Sequence, residues 1–173
     1  MMNSSKLETK TSDTRIRRLN WRRFRIRLMA LPLLCIAFFI GMGWMSQKPV
    51  KTGLFQGQLR PLPLTPNCVS SQSPPDDNRT MDPIGFSTSV EEVHQRLLDV
   101  LNEYPRMRIK TDEGNYVHAE ATSLIFRFVD DVEFLISPSE HVIHFRSASR
   151  VGHSDLGANR RRMAAIKKRF EER

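Results

Sequence analysis

The sequence is short of the residues that build most recognisable sites. It has two cysteines among 173 residues, Cys35 and Cys68. Cys35 sits inside a long apolar run, out of reach of Cys68, so an intradomain disulfide is excluded. Its five histidines, His94, His118, His141, His144 and His153, form neither HxxxH nor HExxH, which leaves no helical metal motif and no metal is expected. No nucleophile–base–carboxylate signature is assembled, and no cofactor is implied. The chain also lacks a basic folded surface, despite a net charge of +8. Residues 1–27 hold nine Lys or Arg against Glu8 and Asp13, leaving 18 basic and 17 acidic residues beyond them. The excess is an N-terminal arm, so nucleic acid is not an expected partner.

What the chain does have is one uncharged stretch of eighteen residues, Leu28–Met45. That length spans a hydrocarbon core of roughly 30 Å at about 1.5 Å per helical residue. Seven arginines between Arg15 and Arg27 precede it. By the positive-inside rule the arm stays cytoplasmic and the C-terminal part crosses. Trp21 and Trp44 flank the run as interfacial aromatics do. A cleaved signal peptide is the alternative, but no clean small-x-small cleavage site follows and the basic region is long. The expected domains are a cytoplasmic arm 1–27, a signal-anchor helix 28–45, a Pro/Ser-rich tether 46–88 and an α+β domain 89–173. That domain would be periplasmic in a bacterium with two membranes.

The tether carries "PLPLTP" and "SQSPPDDN", whose prolines exclude a continuous helix or central strand. Beyond it, Val90, Val93, Leu97, Val100, Leu101 and Tyr104 recur at helical spacing. Ser89 and Glu92 form a capping box, and Pro105 stops the helix. Alternation then predicts an antiparallel meander of four strands, followed by a helix over about Ser154–Glu172 with Leu156, Met163, Ile166 and Phe170 on its apolar stripe. The expected fold is a two-layer α+β sandwich, with two helices on one face of a four-stranded sheet.

A register can be proposed for this meander. With Ser137–Glu140 as a loop, Phe134 faces Ile143 and Val132 faces Phe145. On the opposite face Glu133 meets His144 and Asp131 meets Arg146, each pair worth roughly 0.2–1 kcal/mol. A slip by one residue would place charges opposite core residues, whereas a slip by two would not. With Thr122–Ser123 as the preceding turn, Ala121, Ala119 and Val117 oppose Leu124, Phe126 and Phe128. Thr-Ser is a poor two-residue turn. Asp130 points to the core side and needs a positive partner, for which Arg160 is a candidate.

Several stretches, "TPNCVSSQ", "FVDDVEF" and "RSASRVGHSDLGANRRR", resemble the domain-of-unknown-function family fourteen ninety-nine, over roughly residues 62–170. The resemblance implies a bacterial or plastid protein, often behind a signal or membrane segment, and brings no established activity. Many members carry Cys-Pro before the Pro-Asn-Cys; here Leu62-Pro63 stands there, so a disulfide within the motif cannot form. Cys68 is then either a reactive thiol or a small buried residue holding the tether to the domain.

The strand-to-helix corner is the candidate site. Ser149, Arg150, His153, Asp155 and Arg160 gather near a helix start, whose free N–H groups attract anions. Asp155 can instead cap those groups itself, making with Asn159 and Arg160 a lock that holds the corner closed. Three functions follow: a membrane-anchored binding or accessory module taking a small anionic ligand; a hydrolase-like enzyme on an anionic substrate; or a structural partner of other membrane proteins, working through the basic last helix.

Overall fold

The computed structural model describes residues 28–173, and the basic arm 1–27 lies outside the described residues. Helix α1 spans Leu28–Ser46, with a mean hydropathy of 2.1, and is long and apolar enough to cross a membrane. A signal sequence near the N-terminus passes the same test. Residues 42–173 form one compact unit that includes the last turn of α1.

The tether is more structured than its prolines suggest. It contributes β1 (Leu54–Phe55), β2 (Gln58–Leu59), β3 (Cys68–Ser70) and β4 (Ile84–Gly85). The β1–β2 hairpin turns on Gln56 and Gly57, both at positive φ (54° and 78°), the backbone that a type I′ turn requires. Helix α2 (Val90–Glu103) starts at Ser89, whose side chain accepts from the Glu92 backbone N–H. Strands β5 (Met107–Glu113), β6 (Tyr116–Thr122), β7 (Val129–Ser137) and β8 (Val142–Ser149) follow, then α3 (Ala158–Glu171).

The main sheet has six strands rather than four. Its order is β3-β8-β7-β6-β5, with β4 also paired to β8, and every pairing is antiparallel. β3 and β4 share one edge of β8, pairing with Arg146–Ala148 and Val142–Ile143 respectively. Composition hides these two strands because each is only two or three residues long.

Face parity agrees with the alternation. Val117, Val132, Phe134, Ile136, Ile143 and Phe145 are buried against Val93, Leu97, Val100 and Leu101 of α2 and Met163, Ile166 and Phe170 of α3. Each large apolar side chain so buried contributes roughly 1.5–3 kcal/mol.

The registers are corrected. Phe134 faces Phe145 and Ile136 faces Ile143, two residues away from the expected pairing. The loop is residues 138–141, closed by His141 at φ 53°. This register keeps apolar opposite apolar and adds the buried Ile136–Ile143 pair, which the expected one would have replaced with Ile136 opposite His141. The β6–β7 connection is a six-residue loop, 123–128, not a Thr-Ser turn. The Ser123 hydroxyl accepts from the Phe128 N–H at 2.9 Å, and the Ser123 N–H donates to the Phe128 carbonyl at 2.8 Å. The loop's single positive φ falls on Arg127. Val117 therefore faces Phe134 rather than Phe128, and Leu124, Phe126 and Phe128 leave the sheet.

Candidate functional site

Charge is concentrated on the sheet face opposite the helices. Glu133 is fully buried, and Asp131 nearly so. An isolated carboxylate there would be very costly unless partnered, so the partners decide what this face does. Glu133 takes three donors: the Tyr116 hydroxyl at 2.8 Å, the Gly53 N–H at 2.8 Å and Arg146 Nη1 at 2.6 Å. Asp131 is met by His118 Nε2 at 2.8 Å and gripped by Arg150, Nε to Oδ2 at 2.8 Å and Nη2 to Oδ1 at 2.7 Å. Arg150 Nη2 also reaches Glu120 at 2.6 Å, and Lys110 lies 3.5 Å from that carboxylate.

These partners replace the expected ones. Arg146 lies directly across from Glu133, not Asp131. His144 stands opposite Leu135 and contacts Glu140 and Ser71 instead of Glu133. The two-residue change in register accounts for both. Arg150, which alternation also places on the polar sheet face, turns its side chain over the sheet instead of toward the corner and is 3% exposed.

The electrostatics follow from this packing. Burial alone would raise the Asp131 carboxyl, but hydrogen bonds from Arg150 and His118 bring it below its usual range. Its bonds to Asp131 hold the Arg150 guanidinium firmly protonated. Burial and the neighbouring Glu133 push the Tyr116 phenol up.

The lid over this network is the chain's own tether. Leu59 of β2 is buried, Gly53 binds Glu133, and Arg150 Nη1 reaches the Ser46 carbonyl at 3.3 Å. A His–Asp pair can orient a general base, but here both Asp131 oxygens are engaged and His118 is 7% exposed. The arrangement is a closed ion-pair network under a hairpin. Arg146 Nε is buried within it without a hydrogen-bond partner.

At the corner the five candidate residues diverge. Asp155 accepts the Gly157 N–H at 3.0 Å and the Asn159 N–H at 2.7 Å, taking the free groups at the start of α3. The helix begins at Ala158, later than expected, because Leu156 and Gly157 are both left-handed (φ 53° and 76°). Leu156 is consequently 85% exposed and not on the apolar stripe. Ser149 Oγ accepts from Asn159 Nδ2 at 3.0 Å. Arg160 binds the Asn78 and Thr80 carbonyls, and the partner of Asp130 is Arg162 at 2.6 Å. His153 is exposed.

Asn159, expected beside Asp155 and Arg160 as part of a corner lock, organises this corner. It is fully buried; it accepts from Ser147 Oγ at 2.5 Å and Arg162 Nη1 at 2.7 Å and donates to the Asn67 carbonyl at 2.9 Å. Asn67 in turn donates to the Gly152 carbonyl at 2.8 Å. The "PNC" and "GAN" stretches therefore meet in space, a link that no local pattern announces.

Cys68 is 1% exposed. Burial raises its thiol above the ordinary value, outweighing the opposing effect of Arg79 nearby. Arg79 bridges Asp77 and the Pro63 carbonyl at 2.6 Å and so ties the 63–68 segment down. Among the described residues no group of His, Cys, Asp or Glu is arranged to hold a metal. A groove of roughly 630 Å³ opens between the 75–82 loop and α3, with Arg160, Lys167 and Lys168 set against Asp77, Asp82 and Glu171.

Fold and site together define an α+β domain that follows a helix apolar enough to cross a membrane and carries a closed charge network beneath its own hairpin. Residues 58–170 match the model of a family described as protein of unknown function (DUF1499), and the chain belongs to that family. No curated protein and no solved structure matches it.

Proposed function

We propose that this protein is a membrane-anchored, extracytoplasmic binding or accessory domain, with α1 retained as its anchor. The observation that carries this reading is the seat of Ser46. The residue is fully buried. Its hydroxyl donates to the Gly43 carbonyl at 2.6 Å and accepts from the Val129 N–H at 3.1 Å. The last turn of the apolar helix is thus built into the start of β7, and cleavage after residue 45 would remove Gly43 and loosen Ser46. The arginines preceding the helix favour a cytoplasmic N-terminus.

Support for a binding rather than enzymatic role comes from what the polar residues do. Those of the sheet face are engaged with one another beneath β1–β2. The groove beside α3 is open, and a mixed-charge ligand or peptide would find Lys168 and Glu171 there.

Mass spectrometry of the membrane-extracted chain tests the anchor, and a reporter fused after Arg173 tests the side. The reading expects residues 28–45 to remain attached after alkaline carbonate washing, with an export-dependent reporter active. A mature chain beginning after residue 45, or a reporter active only in the cytoplasm, overturns it.

A further inference from the structure

Loop 123–128 presents two adjacent large apolar side chains to solvent, Leu124 at 72% and Ile125 at 78% exposed. The loop is not loosely tethered. An added Cβ at Gly43 would fall 2.0 Å from the Phe126 carbonyl oxygen, so the loop backbone lies directly on the last turn of α1. Gln47 Nε2 donates to the Arg127 carbonyl at 2.7 Å and Ser46 holds the Val129 N–H. The loop is therefore fixed beside Met42–Gln47, within the same compact unit. That turn is where the apolar helix ends, and it exposes Trp44 at 73%, an aromatic of the kind that sits at headgroup level. Arg127, also exposed, adds a cation next to the two apolar residues, the pairing that anionic lipid surfaces attract.

We propose that loop 123–128 is a second membrane contact, with Leu124 and Ile125 entering the headgroup–acyl boundary of the leaflet from which α1 emerges. The proposal rests on the retained anchor. It adds that the domain lies against the bilayer on this loop instead of swinging on a free tether. Continuity with the end of the apolar helix commits the occupant to lipid, where an exposed apolar pair elsewhere on the surface would not.

The test uses the full chain with Cys35→Ala, reconstituted into phosphatidylglycerol–phosphatidylethanolamine vesicles. An environment-sensitive fluorophore is attached through Ile125→Cys, and in separate samples through Leu33→Cys or Leu64→Cys. Leu33 reports the anchor; Leu64, fully exposed in the 61–66 segment, serves as the aqueous control. The label at 125 should be blue-shifted and quenched by lipids brominated near the headgroup, the label at 33 quenched by deep bromines, and the label at 64 by neither. Deep quenching at 33 with aqueous emission at 125 overturns the loop contact and leaves the anchor standing. Absence of quenching at 33 overturns the anchor and the loop contact with it. Shielding of 125 from iodide without lipid quenching indicates a second copy of the chain on the loop and likewise overturns the lipid contact.

Discussion

Arg150 grips both oxygens of Asp131, at 2.7 and 2.8 Å, from a position just beyond the end of β8. The two side chains are 3% and 1% exposed. Removing one member leaves the other charged and buried. Arg150→Ala or Asp131→Ala should each cost about 3–5 kcal/mol, measured by urea unfolding of the detergent-solubilised chain. The double variant should lose clearly less than the sum of the two. Additive losses would show that the pair is not coupled.

Acid should act through the same carboxylate. The folded Asp131 has a depressed pKa, so its contribution is fully present above the unfolded carboxylate value, about 3.9, and disappears as pH falls toward the lower folded one. Stability should therefore drop below about pH 4, and Asp131→Asn should flatten that part of the curve. Tyr116 acts at the other end: its raised pKa favours the neutral phenol, so stability is held below about pH 10 and lost above it. Tyr116→Phe should remove the alkaline loss.

How much of this was legible in the sequence depended on the type of signal. Helix α2 was plain, since Ser89, Pro105 and the Val93–Leu97–Val100 spacing all agree. The apolar face of the sheet was also plain, because alternation is insensitive to a slip of two residues. That same insensitivity hid the partners: Glu133 can face His144 or Arg146 without moving any residue to the wrong face. The six-residue loop was missed because "SLIFRF" alternates like a strand, although Leu124 and Ile125 stand 72% and 78% exposed. The sequence leaves the charged face open to water, a partner or the tether, and local pattern cannot choose among them, because "LFQGQL" is short and finds its partners some 80 residues away through Gly53 and Glu133. At the corner the capping role of Asp155 was readable from its place before a helix, whereas the reach of Asn159 to Asn67 was not.

Asn159 offers a sharper test of the corner than any charged residue there. It is fully buried with four side-chain hydrogen bonds. Asn159→Ala leaves several buried groups unpartnered, each costing about 1–3 kcal/mol. Asp155→Ala removes a cap, worth about 1 kcal/mol. Thermal unfolding should rank Asn159→Ala well below Asp155→Ala.

Cys68 should behave as an inert thiol. In a Cys35→Ala background, maleimide at neutral pH should leave the folded chain unlabelled and label it fully in urea. Rapid labelling of the native chain would instead reveal a reactive cysteine.

Gly43→Ala inverts the usual expectation. Alanine is the better helix former by about 1 kcal/mol, yet its Cβ would lie 2.0 Å from a backbone oxygen of the 123–128 loop. The variant should lower Tm and speed trypsin cleavage after Arg127. Unchanged cleavage would show that the helix end is not seated on the loop.

The two borders of the main sheet have a bearing on how this domain meets its neighbours. One border consists of β3 and β4, three and two residues long, too short to template a neighbour. The other is β5, whose register shifts between Ile109 and Thr111 and whose length carries Arg108, Lys110, Asp112 and Glu113. Short, bulged and charged edges resist recruitment of foreign strands. Copies of the domain are thereby protected from edge-to-edge aggregation, and a partner must recognise side chains rather than extend the sheet.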